Sequence, residues 1–421
     1  MLKDYFEVPN KPAIKSGNIL SCDFTDHETF IPQPLDYSRG TIATYVDCNG
    51  LIKMSGISDT ELVTNGDFAT DSDWTKEAGW TISEGTANFS GGTGNRAMYQ
   101  AVGITNGKTY KIQYKVSSIS SGQVAVRFGG MSGVGEITAT TIGIYTGYIT
   151  ATGSANGNIY IEDNDNNFVG SIDNVSVKEV DVETPRIDYT TEIGKAKELQ
   201  KPSLLLEPQS TNRITFSEDL SNNWTTANTT VTTNQITSPD GTLTADLLQG
   251  TSTSSCIIEP SGLSLTTGVT YTYSVFVKKG NNRWIRLGHI QSSVTGCWFD
   301  LDNGVVGTVN SESATIEEFG NNWYRITNTF VATSTTTNNS AFIGICNDNG
   351  STNAGVIGQN VYIWGAMVEQ QAYATSYIPT SGSTVTRNQD TAKNAGSKPV
   401  FNSEEGVLYA ETAALVNGGS T

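Results

Sequence analysis

Charge is scarce in this chain and basic charge scarcer still. Asp, Glu, Lys and Arg make up 16% of the 421 residues, and 42 acidic side chains face 25 basic ones, leaving a formal net charge of -17. A phosphate backbone must be neutralised by a basic face, so nucleic acid is excluded as a partner. Histidine occurs twice, at His27 and His289, with no nucleophile at a motif spacing. G-x-S-x-G, H-E-x-x-H and P-loop patterns are absent, so no catalytic residue is assigned and no enzymatic activity is expected. The five cysteines, Cys22, Cys48, Cys256, Cys297 and Cys346, are scattered and form no C-x-x-C pair, which argues for free thiols over a disulfide framework or a zinc site. No apolar run approaches membrane-spanning length, and Met1 to Asn10 has no apolar core of the secretory type, so neither membrane insertion nor export is expected.

What the chain does have is glycine, 43 residues of it, and polar tracts such as Thr225 to Asn234 and Thr333 to Ser340. They punctuate short apolar runs at the rhythm of an all-β protein. The length exceeds that of a usual single domain, so at least two cores are expected.

An internal repeat supplies them. In Gly107 to Ser117, Tyr110, Ile112, Tyr114 and Val116 alternate with Lys111, Gln113 and Lys115, the pattern of a half-buried strand. Gly268 to Lys278 repeats the device with Tyr271, Tyr273, Val275 and Val277. Phe68 and Trp74 match Phe216 and Trp224, and the closing strand Ile172 to Lys178 matches Val361 to Val368. Matched residues lie progressively further apart along the chain, as two copies of one fold give when the second has longer loops. The spacing predicts two tandem jelly-roll β-sandwiches, 57–181 and 208–386. Asp302-Asn303-Gly304 reads as a hairpin turn with positive φ at Asn and Gly.

Two resemblances refine this reading. Leu62-Val63-Thr64-Asn65-Gly66-Asp67-Phe68 and Ile172-Asp173-Asn174-Val175-Ser176-Val177, at the two ends of the first copy, resemble carbohydrate-binding modules of the galactose-binding-like jelly-roll group. Thr44 to Ile52, Pro185-Arg186-Ile187-Asp188-Tyr189, Pro202 to Asn212, Asn322 to Arg325, Tyr362 to Ala366 and Thr375-Ser376-Tyr377-Ile378-Pro379-Thr380 resemble phage tail-fibre and head-fibre proteins. In that family the segment ending Gly50-Leu51-Ile52 runs almost directly into the one beginning Pro185, so the first jelly roll reads as an insertion into a host loop. The resemblance implies a virion anchor and small β unit at 1–56, the inserted module at 57–181, a return segment at 182–207 packing on 41–53, the second sandwich at 208–386, and at 387–421 a linker and the start of a further lectin-like domain.

Candidate sites follow from residue chemistry. Trp80, Tyr99 and Arg127 are the glycan-binding candidates of the first copy, since aromatic faces stack on pyranose rings and polar groups fix hydroxyls. Each has a bland alternative, a core side chain for the tryptophan above all. The module resemblance implies a structural Ca2+ bridging Asp67 and Asp173; the alternative is two solvated or hydrogen-bonded carboxylates, because calcium takes roughly six or more oxygens. Trp74, Trp224, Trp323 and Trp364 are expected in cores, Trp284 as the amphipathic cap of a strand beside Arg283 and Arg286, and His289 as a partly buried strand residue.

The expected function is that of a phage virion fibre or spike, made in the host cytoplasm, assembled as a homotrimer, joined to other virion proteins through its N-terminal segment and attaching to host-surface glycans. The alternative is a carbohydrate-binding module array of a bacterial surface or polysaccharide-degrading protein. No cleft motif marks the carboxylate pair of a glycan hydrolase.

Overall fold

The computed structural model describes residues 36–393 apart from 93, 95, 132–134, 197–199, 201, 291–293, 336–340 and 354–356. The expected virion anchor and the start of a further C-terminal domain fall largely on 1–35 and 394–421, outside the described residues, as do His27 and Cys22. The described part is all-β, with a single 3₁₀ turn at Thr190–Glu192 and no α-helix among the described residues. It divides into two compact units. Ser55–Thr184 is one, and the chain on either side of it forms the other.

The smaller unit is a jelly-roll sandwich of two five-stranded antiparallel sheets. One runs in the order Ile137–Ala139, Val124–Phe128, Asn158–Asp163, Ala97–Ala101, Thr75–Lys76; the other runs Gly143–Thr150, Thr109–Ser121, Val169–Val180, Thr86–Phe89, Trp80–Ser83. Period-two alternation decides which side chains meet between them. Tyr110, Ile112, Tyr114 and Val116 are each at most 1% exposed, while Lys111, Gln113 and Lys115 point the other way. They pack on Val124, Val126, Phe128, Ile159 and Ile161 from the facing sheet.

The larger unit contains a second sandwich with the same strand order. Its sheets run Trp224–Ala227, Cys256–Pro260, Ala341–Cys346, Trp284–Ile290, Val294–Asp300, Val305–Val309, and Thr229–Ile236, Ala245–Gly250, Asn360–Glu369, Thr270–Lys279, Trp323–Val331, Ser313–Glu318. Val305–Val309 and Ser313–Glu318 are extra edge strands, and they lie between Tyr271 and Val368, where the spacing between matched residues widens most.

Local devices recur in both copies. Tyr110 Oη accepts the Thr105 N–H at 2.8 Å, and Tyr271 Oη accepts the Thr266 N–H at 3.1 Å. The Trp74 indole donates to Asn65 O at 3.1 Å, as Trp224 does to Phe216 O at 2.9 Å. Each closing strand carries a bulge at a left-handed residue, Asn174 with φ 53 and Gly365 with φ 65. The bulge lets Ile172 and Val175, or Ile363 and Ala366, both face inward.

The Asp302-Asn303-Gly304 turn departs from expectation. Asp300 pairs directly with Val305, so the loop has four residues, and of these only Gly304 is left-handed, with φ 62. The Asp300 carboxylate holds the turn by accepting the Asp302 N–H at 3.0 Å and the Asn303 Nδ2–H at 2.7 Å, which removes the need for positive φ at Asn303. His289 is buried against Phe330, ring centroids 4.0 Å apart, and burial pulls its pKa down to about 4. Trp284 is half-buried with the Arg283 guanidinium 5.3 Å over its ring, and Cys48, Cys256, Cys297 and Cys346 are free thiols.

Small strand pairs complete the larger unit. The hairpin Thr44–Val46 and Ile52–Met54 meets the pair Arg186–Asp188 and Ser203–Leu205: the Val46 N–H donates to Asp188 Oδ1 at 2.9 Å, and the Tyr189 N–H to Val46 O at 3.0 Å. Their apolar side, with Val46, Ile52, Ile187 and Tyr189, shares a core with Phe276, Trp323, Trp364 and Tyr377. At the other end of these strands the Arg186 guanidinium, with its side chain fully enclosed, binds Thr44 O, Glu207 Oε2 and Ser376 Oγ, each at 2.8 Å, and Asp390. Arg387 lies 3.4 Å from Glu207, and Arg39 lies 3.3 Å from Asp390. Burial opposes the charge of Glu207 and of Asp390, yet the surrounding arginines hold both pKa values below the ordinary range.

Removing one carboxylate from this network strands buried positive charge, which costs about 3–5 kcal/mol. Asp390→Ala should therefore lower the urea midpoint of the larger unit's unfolding while leaving that of Ser55–Thr184 in place; a single unshifted curve contradicts it. A second expectation concerns pH. Burial raises the Glu218 pKa to about 7 and that of Asp246 to about 6, with Tyr377 Oη donating to Glu218 Oε1 at 2.9 Å. The folded chain then holds protons that the unfolded chain has released, so their stabilisation is full below the unfolded carboxylate pKa values and is lost as pH rises through 6 to 7. Thermal melts should fall between pH 5 and about 7.5, and Glu218→Gln should flatten that fall.

Candidate functional site

The outer face of one sheet of the smaller unit carries aromatic and charged side chains in register. In the strand Asn158–Asp163, Ile159 and Ile161 enter the core, so Asn158, Tyr160 and Glu162 point outward. Tyr160 is paired directly with Tyr99 on one side and with Arg127 on the other, and Thr75 lies beyond Tyr99. One row across the sheet is therefore Thr75, Tyr99, Tyr160, Arg127.

The row is rigid. The Tyr99 and Tyr160 rings stack with centroids 4.9 Å apart and planes 15° apart, and both residues stay partly exposed. Gly129 leaves room for this: a Cβ there would lie 2.4 Å from Tyr160 Cε2 and 2.2 Å from Asn156 Oδ1. Arg127 grips Glu162 by both prongs, Nε to Oε1 at 2.5 Å and NH2 to Oε2 at 2.6 Å, while its guanidinium sits 5.2 Å over the Tyr160 ring. The hydrogen bonds to Glu162 raise the Arg127 pKa, and Glu162 itself is only 4% exposed. A bidentate pair of this kind fixes both side chains in one geometry.

Of the three residues singled out for sugars, the structure brings Tyr99 and Arg127 together and removes Trp80. That indole is 4% exposed, lies on the opposite sheet, packs 4.9 Å from Phe89 and donates to Arg96 O at 3.1 Å. It is a core side chain because its strand, Trp80–Ser83, alternates with the tryptophan inward. The sequence reading missed Tyr160 and Glu162. Alternation across Asn158 to Asp163 marks both as outward-facing, but only the strand register places them beside Tyr99 and Arg127.

Asp67 and Asp173 stand at the joined ends of the smaller unit, where the Val175 N–H donates to Gly66 O at 2.8 Å. Asp67 is exposed; Asp173 accepts from Asn174 and has Lys115 Nζ 3.6 Å away. Among the described residues no group of three or more His, Cys, Asp or Glu side chains is assembled for a metal. Two carboxylates, one of them facing an ammonium group, fall short of the roughly six oxygens calcium takes, so the donor set does not fit a protein-built calcium cage.

No known family pattern matches the chain, and no curated protein sequence does. Among solved structures, the chain is similar to the N-terminal CBM22-1–CBM22-2 tandem domain of Paenibacillus barcinonensis Xyn10C, at 12% identity over 75% of this chain and 98% of that one, with a TM-score of 0.25. It is also similar to the CBM22-1–GH10 modules of Clostridium thermocellum endo-1,4-β-D-xylanase 10B complexed with xylohexaose, at 17% identity over 41% of this chain and 30% of that one, with a TM-score of 0.25. An anti-sigma factor domain-containing protein aligns at 9% identity over 82% of this chain and 99% of that one, with a TM-score of 0.16. Scores this low carry no argument; the fold rests on the strand order given above.

Proposed function

We propose that this chain is a non-enzymatic glycan-binding protein that uses the tyrosine face of its smaller jelly roll. The observation that carries this reading is the row Tyr99, Tyr160, Arg127 with Glu162 beside it. The exposed parts of the two stacked phenol rings offer apolar surface to a pyranose, and the Arg127 guanidinium, locked by Glu162, holds its remaining N–H groups in position for hydroxyls. Pre-organised side chains lose little freedom on binding, which favours a weak ligand. Both Glu162 oxygens are taken up by Arg127, so the carboxylate orients and does not transfer protons. This is the chemistry of a carbohydrate-binding module, as on a bacterial surface or polysaccharide-degrading protein.

A second reading concerns the assembly that carries the module. The segments that resemble phage fibre proteins supply Arg186, Glu207 and Ser376 to one buried network. Those motifs thus act as one structural element, which favours a virion fibre scaffold into which the smaller jelly roll has been inserted. In this setting the chain is a homotrimer bound to other virion proteins, and many copies turn weak glycan contacts into firm attachment to a host surface.

Two measurements test these readings. Titration with neutral hexasaccharides such as xylohexaose and cellohexaose should show binding that Tyr160→Ala weakens at least about tenfold, a loss of roughly 1.4 kcal/mol. Arg127→Lys, which keeps the charge and loses the fork, should weaken it similarly. Undiminished binding by Tyr160→Ala rejects the face. For the fibre reading, the solution mass should be three times the 45.0 kDa of the chain; a monomer at micromolar concentration rejects the trimer.

A further inference from the structure

An edge strand offers unpaired N–H and C=O groups to any extended chain that lies beside it, so stable folds keep their edges short or blunt them with charge, proline or a bulge. Three of the four edges of the smaller unit are short: Thr75–Lys76, Trp80–Ser83 and Ile137–Ala139. The fourth, Gly143–Thr150, has eight residues, and among the described residues it pairs only with Thr109–Ser121. None of the blunting devices is present on it. No charged residue and no proline lies between Glu136 and Glu162, and the pairing with Thr109–Ser121 runs from Gly143 to Thr150 without a register shift. Ile142 and Ile144 are 64% and 70% exposed.

The second sandwich shows what such an edge accommodates. Its matching strand is Trp323–Val331, which lies beside Thr270–Lys279 as Gly143–Thr150 lies beside Thr109–Ser121. There the outer side is occupied by the added strand Ser313–Glu318, antiparallel over six residue pairs. That strand carries the exposed charges Glu317 and Glu318 at its end, so the sheet stops there. In the smaller unit the corresponding place is open. Backbone geometry decides which residues face it. The Ala151 N–H donates to Lys108 O and Ala151 O accepts from the Gly107 N–H, both at 2.8 Å, so both groups point toward the neighbouring strand. Alternation then turns the N–H and C=O of Ile144, Thr146, Tyr148 and Thr150 toward the open edge. Their side chains share the outer face of the sheet, because Ile149 between them enters the core.

We propose that Gly143–Thr150 is a docking edge for the same strand of a second copy of this chain, paired antiparallel about a two-fold axis. Hydrogen-bonding side and side-chain face must both match across the new pair. Of the two central registers that meet both conditions, the one with Thr146 on the axis also brings in Ile142, which then stands opposite the partner's Thr150. Ile144 stands opposite the partner's Tyr148, an aliphatic and aromatic cross-strand pair of the favourable kind. Charge favours a second copy as the occupant. Each chain carries a net charge of -17, and an edge without charged side chains lets two such chains meet without opposing carboxylates. The contact is isologous, so it closes on two copies and does not propagate. Eight residues a side is fewer than the roughly 20–30 of a stable interface, so the pair is weak in dilute solution and firms where copies are held close together. The inference depends neither on the glycan reading nor on the trimer.

The test uses the full chain. Under mild oxidation Thr146→Cys should link two chains into a dimer on a denaturing gel, beyond any linking by the unsubstituted chain. Hydrogen-bonded residues facing each other across antiparallel strands lie about 5.5 Å apart at Cα, within the span of a disulfide. Thr150→Cys is the control, since Thr150 is also exposed but its two copies stand at opposite ends of the paired strands, roughly 27 Å apart, and should not link. Sedimentation of the unsubstituted chain from micromolar to millimolar concentration should show its mass rise to at least twice the dilute value. Ile144→Lys should hold the mass at that dilute value with an unchanged melting temperature, because the side chain it replaces is 70% exposed. The gel reads chains joined at this edge alone, so its result stands apart from the trimer mass and from any sugar titration. Equal linking by Thr146→Cys and Thr150→Cys, a mass that never rises, or a rise that survives Ile144→Lys overturns the proposal. A Thr146→Cys chain linked internally to Cys22 holds its own N-terminal segment on this edge, which overturns it as well.

Discussion

The Arg186 guanidinium organises the larger unit. From one fully enclosed position it donates to a carbonyl in the first hairpin, to Glu207 after the return strand, to Ser376 near the end of the second sandwich, and to Asp390 close to the last described strand. Segments far apart in sequence are thereby held at one point. Arg39 and Arg387 extend the cluster, and the Glu207 N–H donates to Asp390 Oδ2 at 2.9 Å. Such a cluster adds little net stability compared with an apolar core, but it is unforgiving of change, because each charge is buried and depends on the others. It therefore specifies which strands come together more than how strongly they do so.

That constraint explains how the chain accommodates Ser55–Thr184. The hairpin ending at Met54 and the strand beginning at Arg186 are fixed to each other by their own hydrogen bonds and by the arginine cluster, so the chain between them is free to be a loop or a domain. The ends of the smaller jelly roll are themselves joined, with Ile57 bridged to Val180 and the Asp181 N–H donating to Gly56 O at 2.8 Å. A unit whose entry and exit lie side by side closes its own fold and places no strain on the strands that receive it.

The two sandwiches share a frame and differ on their outer faces. The tyrosine hydroxyl cap, the tryptophan indole bond and the left-handed bulge residue are kept in both, because each satisfies backbone groups at a strand end. On the matching outer faces nothing comparable constrains the side chains. One copy carries two stacked tyrosines and a neutralised arginine; the other carries an arginine between Phe342 and Trp298 with no carboxylate opposite.

Alternation along single strands was readable from the sequence, since the period of two is a property of the extended backbone. It placed Tyr110 to Val116 and Tyr271 to Val277 inside, and the repeated glycines, tyrosines and tryptophans announced two copies of one all-β fold. What alternation leaves open is which residue of one strand stands beside which residue of another. Trp80 and Tyr99 looked alike as sugar platforms, yet one faces the core and the other faces out beside Tyr160. The Arg127 to Glu162 clamp and the arginine cluster around Glu207 both join residues from separate segments of the chain. Register between strands is set by the packing of whole sheets, a cooperative property no local stretch encodes, so the sequence determined the fold class and its duplication while the tertiary structure alone decided the sites.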